Sequence, residues 1–266
     1  MAEPFDAWST EQLIRAALAA DEDGRWELIP VLQDRGDDPD VLRAGQVLCG
    51  SADARERELG VDMLAQGQRG RKSFQAEVVA TLLALLADET EPRVLASLGF
   101  ALGHRRDARA IEPLVRLGQH PDPDVRFAVV HGLSGYEDER AIAALIELSR
   151  DLDDDVRDWA TFGLGSLVAL DTPALRDALA ARLSDPDDDT RGEALVGLAR
   201  RRDPRAIEPL LRELADPDPL GYALDAAEEL PHPAVAEALA RVPASRRDHR
   251  AAGRVWAEGA PAEGGP

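Results

Sequence analysis

The sequence predicts an all-α solenoid of about seven two-helix repeats, on three observations. A short motif recurs at near-constant spacing: Asp124-Val125-Arg126 returns 31 residues later as Asp155-Val156-Arg157. Small and apolar residues follow each copy at the same offsets, with Gly132-Leu133 matched by Gly163-Leu164, Ala101-Leu102 and Gly197-Leu198. The apolar mass is mostly Ala, Leu and Val, while aromatics make up only 4% of the 266 residues, a composition suited to helices packed at close range.

Taken in order, residues 9–37 read as an irregular N-terminal cap. Leu13, Ile14 and Leu18 supply one apolar stripe, Trp26, Ile29 and Leu32 a second, and Ser9 with Gln12 has the spacing of a capping box. Residues 38–242 carry the repeats; second helices are expected to begin near 26, within the cap, and near 56, 94, 125, 156, 190 and 220. Gln66 to Ser73 reads as an inserted loop. First helices carry the run from Arg109 to Leu117, echoed from Arg205 to Leu211; Pro113 and Pro209 fit only in a first turn, where a missing N–H costs nothing. Asp/Pro turns follow, such as 120–124 and 184–189, and their aspartates suit the N-termini of the second helices. Residues 243–257 are expected to close the C-terminal end, and 258–266, without periodicity, to be a disordered tail. The whole of 1–257 reads as one domain.

The stretches DPDVRFAVVHGLSGYEDERAIAALIEL and DPDDDTRGEALVGLARRRDPRAIEPLLREL resemble the HEAT family, in particular its bacterial phycobilisome-lyase-type branch. The likeness is closest over about 80–215. It implies a right-handed superhelix with first helices on the convex face and second helices lining the concave one. It also implies a ladder in which an Asp of one turn pairs with an Arg of a neighbouring repeat. Asp122, Asp153 and Asp187, with Arg126, Arg157 and Arg191, occupy those places; Leu95 interrupts the Arg row, so the ladder is expected to stop there.

Counting from the repeat's Val as zero, at about 100° per residue, positions 0, +4, +7 and +8 share one side and hold apolar or small residues. Positions +2 and +6 fall opposite and should face the groove. Phe100, His131 and Phe162 occupy +6 in three successive repeats, Phe127 is at +2, and Trp159 sits at +3, at the margin and the nearest of the five to the core side. Four of the chain's eleven aromatics thus gather on one expected surface. Exposed aromatics grouped in this way mark contact surfaces, so these five residues are the candidate partner-binding site.

Charge narrows the partner. With 51 acids against 31 bases the net charge is −20, which repels nucleic-acid phosphates and anionic membranes and favours a basic protein. The acids concentrate in turns that lead into second helices (Asp122 and Asp124, 153–155, Asp185, 187–189, Asp216 and Asp218), an expected acidic rim. Arg105-Arg106 and 200–202 should make the opposite edge patchily basic. Arginine supplies nearly all the positive charge, with Lys72 the sole lysine, a usage typical of GC-rich bacterial genomes. No basic N-terminal region with a following apolar run appears, so a cytoplasmic protein is expected.

Cys49 is alone, so neither a disulfide nor a cysteine-based zinc site forms. The deoxyhypusine hydroxylases, to which this repeat is also similar, carry His-Glu pairs on second helices, whereas this chain has Ala96-Ser97, Phe127-Ala128, Asp158-Trp159 and Gly192-Glu193 there. Residues 67–73 lack the ending of a phosphate loop, and the Asp triplets lack the alternation of a calcium loop. No metal or organic cofactor is expected. The reading is a non-catalytic adaptor or scaffold whose concave surface takes a protein between aromatic anchors and an acidic rim. The alternatives are an acidic immunity-type inhibitor of a basic bacterial protein and, from the resemblance, a bilin lyase or isomerase-like enzyme.

Overall fold

The computed structural model describes residues 5–65, 74–217 and 219–243; the expected inserted loop, Asp218, most of the expected C-terminal cap and the tail lie outside them. Every regular element among the described residues is helical. Seven pairs follow one another: α1 (Thr10–Ala19) with α2 (Glu22–Gln33), α3 (Pro39–Cys49) with α4 (Ala54–Ala65), α5 (Gln75–Asp88) with α6 (Pro92–Arg105), and α7 (Ile111–Leu117) with α8 (Pro123–Leu133). Then come α9 (Glu139–Leu148) with α10 (Asp154–Phe162), α11 (Pro173–Arg182) with α12 (Asp188–Arg200), and α13 (Ile207–Leu214) with α14 (Gly221–Glu229), before a last helix α15 (Pro233–Arg241). The fold class is the all-α solenoid of two-helix repeats. Six second helices begin within two residues of the positions read from the repeat, and α2 begins four residues early. By their contacts the helices form two compact units, the first running to Gly132 and the second starting at Leu133.

Local chemistry accounts for the helix ends. Ser9 and Gln12 form the expected capping box, the Ser9 N–H donating to Gln12 Oε1 at 2.7 Å and the Gln12 N–H to Ser9 Oγ at 3.2 Å. The RAIEPL runs behave alike in both units: 3-10 turns Ala108–Ala110 and Pro204–Ala206 lead into α7 and α13, which places Pro113 and Pro209 in the first helical turn. A clasp that the sequence reading passed over precedes three first helices. Asp107, Asp138 and Asp203 each accept the backbone N–H two residues on and hold that residue's guanidinium at 2.9, 2.9 and 2.7 Å. The Arg140 guanidinium and backbone N–H draw the Asp138 carboxyl down to about 2.

The inter-repeat ladder exists, but its acid stands elsewhere. Asp153 and Asp187 cap their own helices, accepting from the Val156 N–H at 3.1 Å and the Thr190 N–H at 2.7 Å. The rung comes from a residue earlier in the turn: Arg157 reaches Asp185 at 3.0 Å, and Arg57 reaches Glu89 at 2.7 Å. Arg57 also shows that the ladder does not end at Leu95, because a rung forms on its N-terminal side. The same arginines tie their own turns by donating to backbone carbonyls, Arg57 to Ser51 and Ala52, Arg157 to Asp151, and Arg191 to Asp185 and Pro186. One guanidinium thus closes a turn and, where an acid is in reach, joins the next repeat.

Candidate functional site

The repeat's angular pattern sorts the second helices as expected on the core side. In α6, α8, α10 and α12 the residues at 0, +4, +7 and +8 are all buried, from Val94 and Leu98 to Gly197 and Leu198. Positions +2 and +6 differ from repeat to repeat. On α4, α6 and α8 they are Glu58 and Asp62, Ala96 and Phe100, and Phe127 and His131, all partly exposed, whereas Leu28 and Leu32 on α2 are buried. Asp158 and Phe162 on α10 and Gly192 and Val196 on α12 are buried, while Tyr222 on α14 is partly exposed. Neighbouring side chains cause the difference. The Tyr222 ring lies over Gly192, where a Cβ would stand 2.4 Å from a ring carbon.

Three rings of the first unit meet. Phe100 lies 6.1 Å from Phe127 and 5.1 Å from His131, and Phe127 lies 4.7 Å from His131, all centroid to centroid with tilted or edge-on planes. Small residues bring them there. A Cβ on Gly99 would stand 2.8 Å from the Ala128 Cβ, and one on Gly103 2.9 Å from the Gly132 Cα, so α6 and α8 approach at backbone distance. Burial, with the charge of His104 added, pushes the His131 imidazole down to about 4; at neutral pH it is an uncharged ring within the cluster.

In the second unit Trp159 packs edge-on against Phe162 at 5.6 Å. Their roles are the reverse of the angular expectation. Phe162 is only 6% exposed, whereas Trp159 is partly open. The bulk of Trp159 covers its neighbour, and the backbone widens into a π turn, Gly163–Leu167, directly after Phe162.

Aromatics alone do not define the first unit's second-helix face: polar residues also stand there, at positions their register announces. Glu58 and Asp62 occupy +2 and +6 of α4 and share one guanidinium, Arg25 of α2, at 2.8 and 2.7 Å. Asp62 also accepts from the Ser97 hydroxyl of α6. Burial, with Glu58's charge adding to it, pushes the Asp62 carboxyl up to about 7 against the pull of Arg25 and Ser97.

Of the five arginines of the expected basic edge, Arg106, Arg200 and Arg202 are exposed, whereas Arg105 and Arg201 turn onto backbone carbonyls. Arg105 is buried and donates through Nε to the Leu64 carbonyl at 2.9 Å; burial lowers its guanidinium to about 10. Arg201 binds five carbonyls, those of Leu164, Gly165, Val168, Leu170 and Gly197, at 2.9–3.2 Å. Both stand at +11 of their repeats, where the unpaired carbonyls of a helix C-terminus attract a donor. Along the acidic turns, Asp124, Asp154, Asp155 and Asp188 remain exposed. Among the described residues, no three His, Cys, Asp or Glu side chains are grouped to hold a metal ion, and no helix is long and apolar enough to cross a membrane.

The family described as HEAT repeats matches residues 79–165 and 147–231, more than half of the chain. Among solved structures, the Escherichia coli protein YibA is similar at 22% identity with a TM-score of 0.75, over 92% of this chain and 94% of that one. A designed armadillo repeat protein is similar at 16% identity and a TM-score of 0.50, over 71% and 98%. The complex of CpcE and CpcF of phycocyanin lyase from a Nostoc species matches at 15% identity and a TM-score of 0.49, over 93% and 96%. At such identities the likeness concerns fold. No curated protein matches the sequence.

Proposed function

The chain belongs to the HEAT-repeat family, and from that premise we propose that it is a non-catalytic adaptor or scaffold that docks another protein on its second-helix faces. Stacked helical repeats present long side-chain surfaces and are suited to binding. The observation that carries the reading is the cluster of Phe100, Phe127 and His131: three partly exposed, uncharged rings from two adjacent second helices, in a chain with 4% aromatics. Rings fixed by packing lose little entropy on binding and serve as anchors. In the second unit Trp159 is the contact residue and the buried Phe162 supports it. Exposed aspartates of the turns form an acidic rim that steers a basic partner, and the charge of −20 favours such a protein over nucleic acid or an anionic membrane.

A photoreactive benzoylphenylalanine placed at position 127 tests this. In lysate it should crosslink a discrete protein, and the same probe at Ala80, on the exposed side of α5, should not. Equal crosslinking at both positions, or none at 127, would refute the docking face.

A further inference from the structure

In the unit that ends at Gly132, the aromatic cluster is continuous with the shared-cation site. Arg25 of α2 bridges to Glu58 and Asp62 of α4, and Asp62 takes the hydroxyl of Ser97, one helical turn before Phe100. Phe100 then meets Phe127 and His131. At the other end Trp26, next to Arg25 in sequence, is 49% exposed. Two carboxylates facing one guanidinium leave one negative charge in excess. Their side chains are 19% and 16% exposed, so they can be reached yet are poorly hydrated. A partner's cation would complete the neutralisation, and its aliphatic stem could lie along the neighbouring rings.

We propose that Glu58 and Asp62 are the seat for a single Lys or Arg side chain of a basic protein partner lying across this second-helix face. The proposal rests on the reading that the face docks a protein, and it names that partner's chemistry. A second copy of the chain fits poorly, because each copy carries −20.

The charged and titratable groups around the seat give it a pH signature. Arg25 and the Gln33 amide face it from α2, the latter through the Asp62 carbonyl. From α3 comes Cys49, whose thiol burial pushes up to about 12 and which stays protonated. From α6 come Ser97 and Arg105, the latter held on the Leu64 carbonyl; on α1, Glu11 and Arg15 pair with each other at the surface. Asp62 is thus the group that changes charge near neutrality. Below about pH 7 it is protonated and the seat is neutral; above, the excess charge appears and a basic side chain binds more tightly.

The test uses the full chain and a fluorescein-labelled hexa-arginine peptide, followed by anisotropy at moderate salt. Native affinity should rise several-fold between about pH 6 and pH 8. Glu58→Gln with Asp62→Asn should weaken binding about tenfold at the upper pH and abolish the pH dependence. Glu77→Gln with Asp88→Asn removes two charges from exposed positions of α5 and should change affinity less than about twofold. Equal losses in the two double variants, or pH-independent native binding, would overturn the seat. If the first double variant does not melt cooperatively, Glu58→Gln alone is read against the same control. Phe127→Ala, measured alongside, separates the two claims: weakening there with none in the acid variant retains the docking face and removes the seat, and the converse retains the seat and removes the docking face.

Discussion

Arg157→Met should destabilise the second unit by about 3 kcal/mol, at the lower end of the range for breaking a buried ion pair. Arg157 and Asp185 are each 6% exposed, and Arg157 Nε donates to both Asp185 oxygens at 3.1 and 3.0 Å. The guanidinium also holds the Asp151 carbonyl at 3.0 Å and the Asp154 carboxylate at 2.5 Å. Without it Asp185 keeps only the Arg182 guanidinium and the Asp187 N–H, both at 3.2 Å, which moderates the loss. Arg191→Met is the control. It occupies the same register one repeat on, closes its own turn, and has a side chain 28% exposed; its loss should cost about 1 kcal/mol. Urea unfolding of both variants, with a double-mutant cycle through Asp185→Asn, reads the difference. Coupling of about 1 kcal/mol or more between Arg157 and Asp185 is expected. Equal costs for the two arginines and no coupling would show that the rung adds nothing beyond turn closure.

Phe162→Ala should cost about 3–5 kcal/mol of stability because its ring is core, and Trp159→Ala should cost less because that ring is partly open; paired thermal melts give the order. Asp62, with a folded carboxyl at about 7, binds a proton in the folded state that the unfolded chain has released. Stability should therefore fall as pH rises from about 4 to about 7 and level off above, and Asp62→Asn should flatten that slope in melts across pH. Arg202 is exposed and follows α12 at φ 51°, in the left-handed region. Arg202→Gly should stabilise by about 1 kcal/mol, and a lower melting temperature would count against the strain argument.

Helix positions and core were legible in the sequence because both follow from one offset pattern. Val125, Val129, Gly132 and Leu133 announce the buried side of α8, and the same offsets hold in α6, α10 and α12. The opposite side was less legible, since burial there depends on what the next repeat places over it. Nothing in the α12 sequence says that Tyr222 will cover Gly192, and the angle of Phe162 does not reveal Trp159 lying against it. The ladder acid was set two residues late because Asp187 and Asp185 look alike in a run of aspartates. Only the former lies where its own helix supplies an N–H. Arg105 and Arg201 read as surface charge, yet their position at the ends of second helices turns them onto carbonyls. Glu58 and Asp62 stand at +2 and +6 of α4, legible by register but not from the aromatic pattern.

The central claim is that the first unit's second-helix face docks a protein, and the affinity of the protein crosslinked at position 127 tests it most directly. Titrated calorimetrically at fixed salt, Phe127→Ala should weaken binding by about 2 kcal/mol, roughly thirtyfold, while Ala80→Glu on α5 leaves it unchanged. Native affinity in Phe127→Ala, with binding lost in Ala80→Glu, would place the interaction on the first helices and contradict the account.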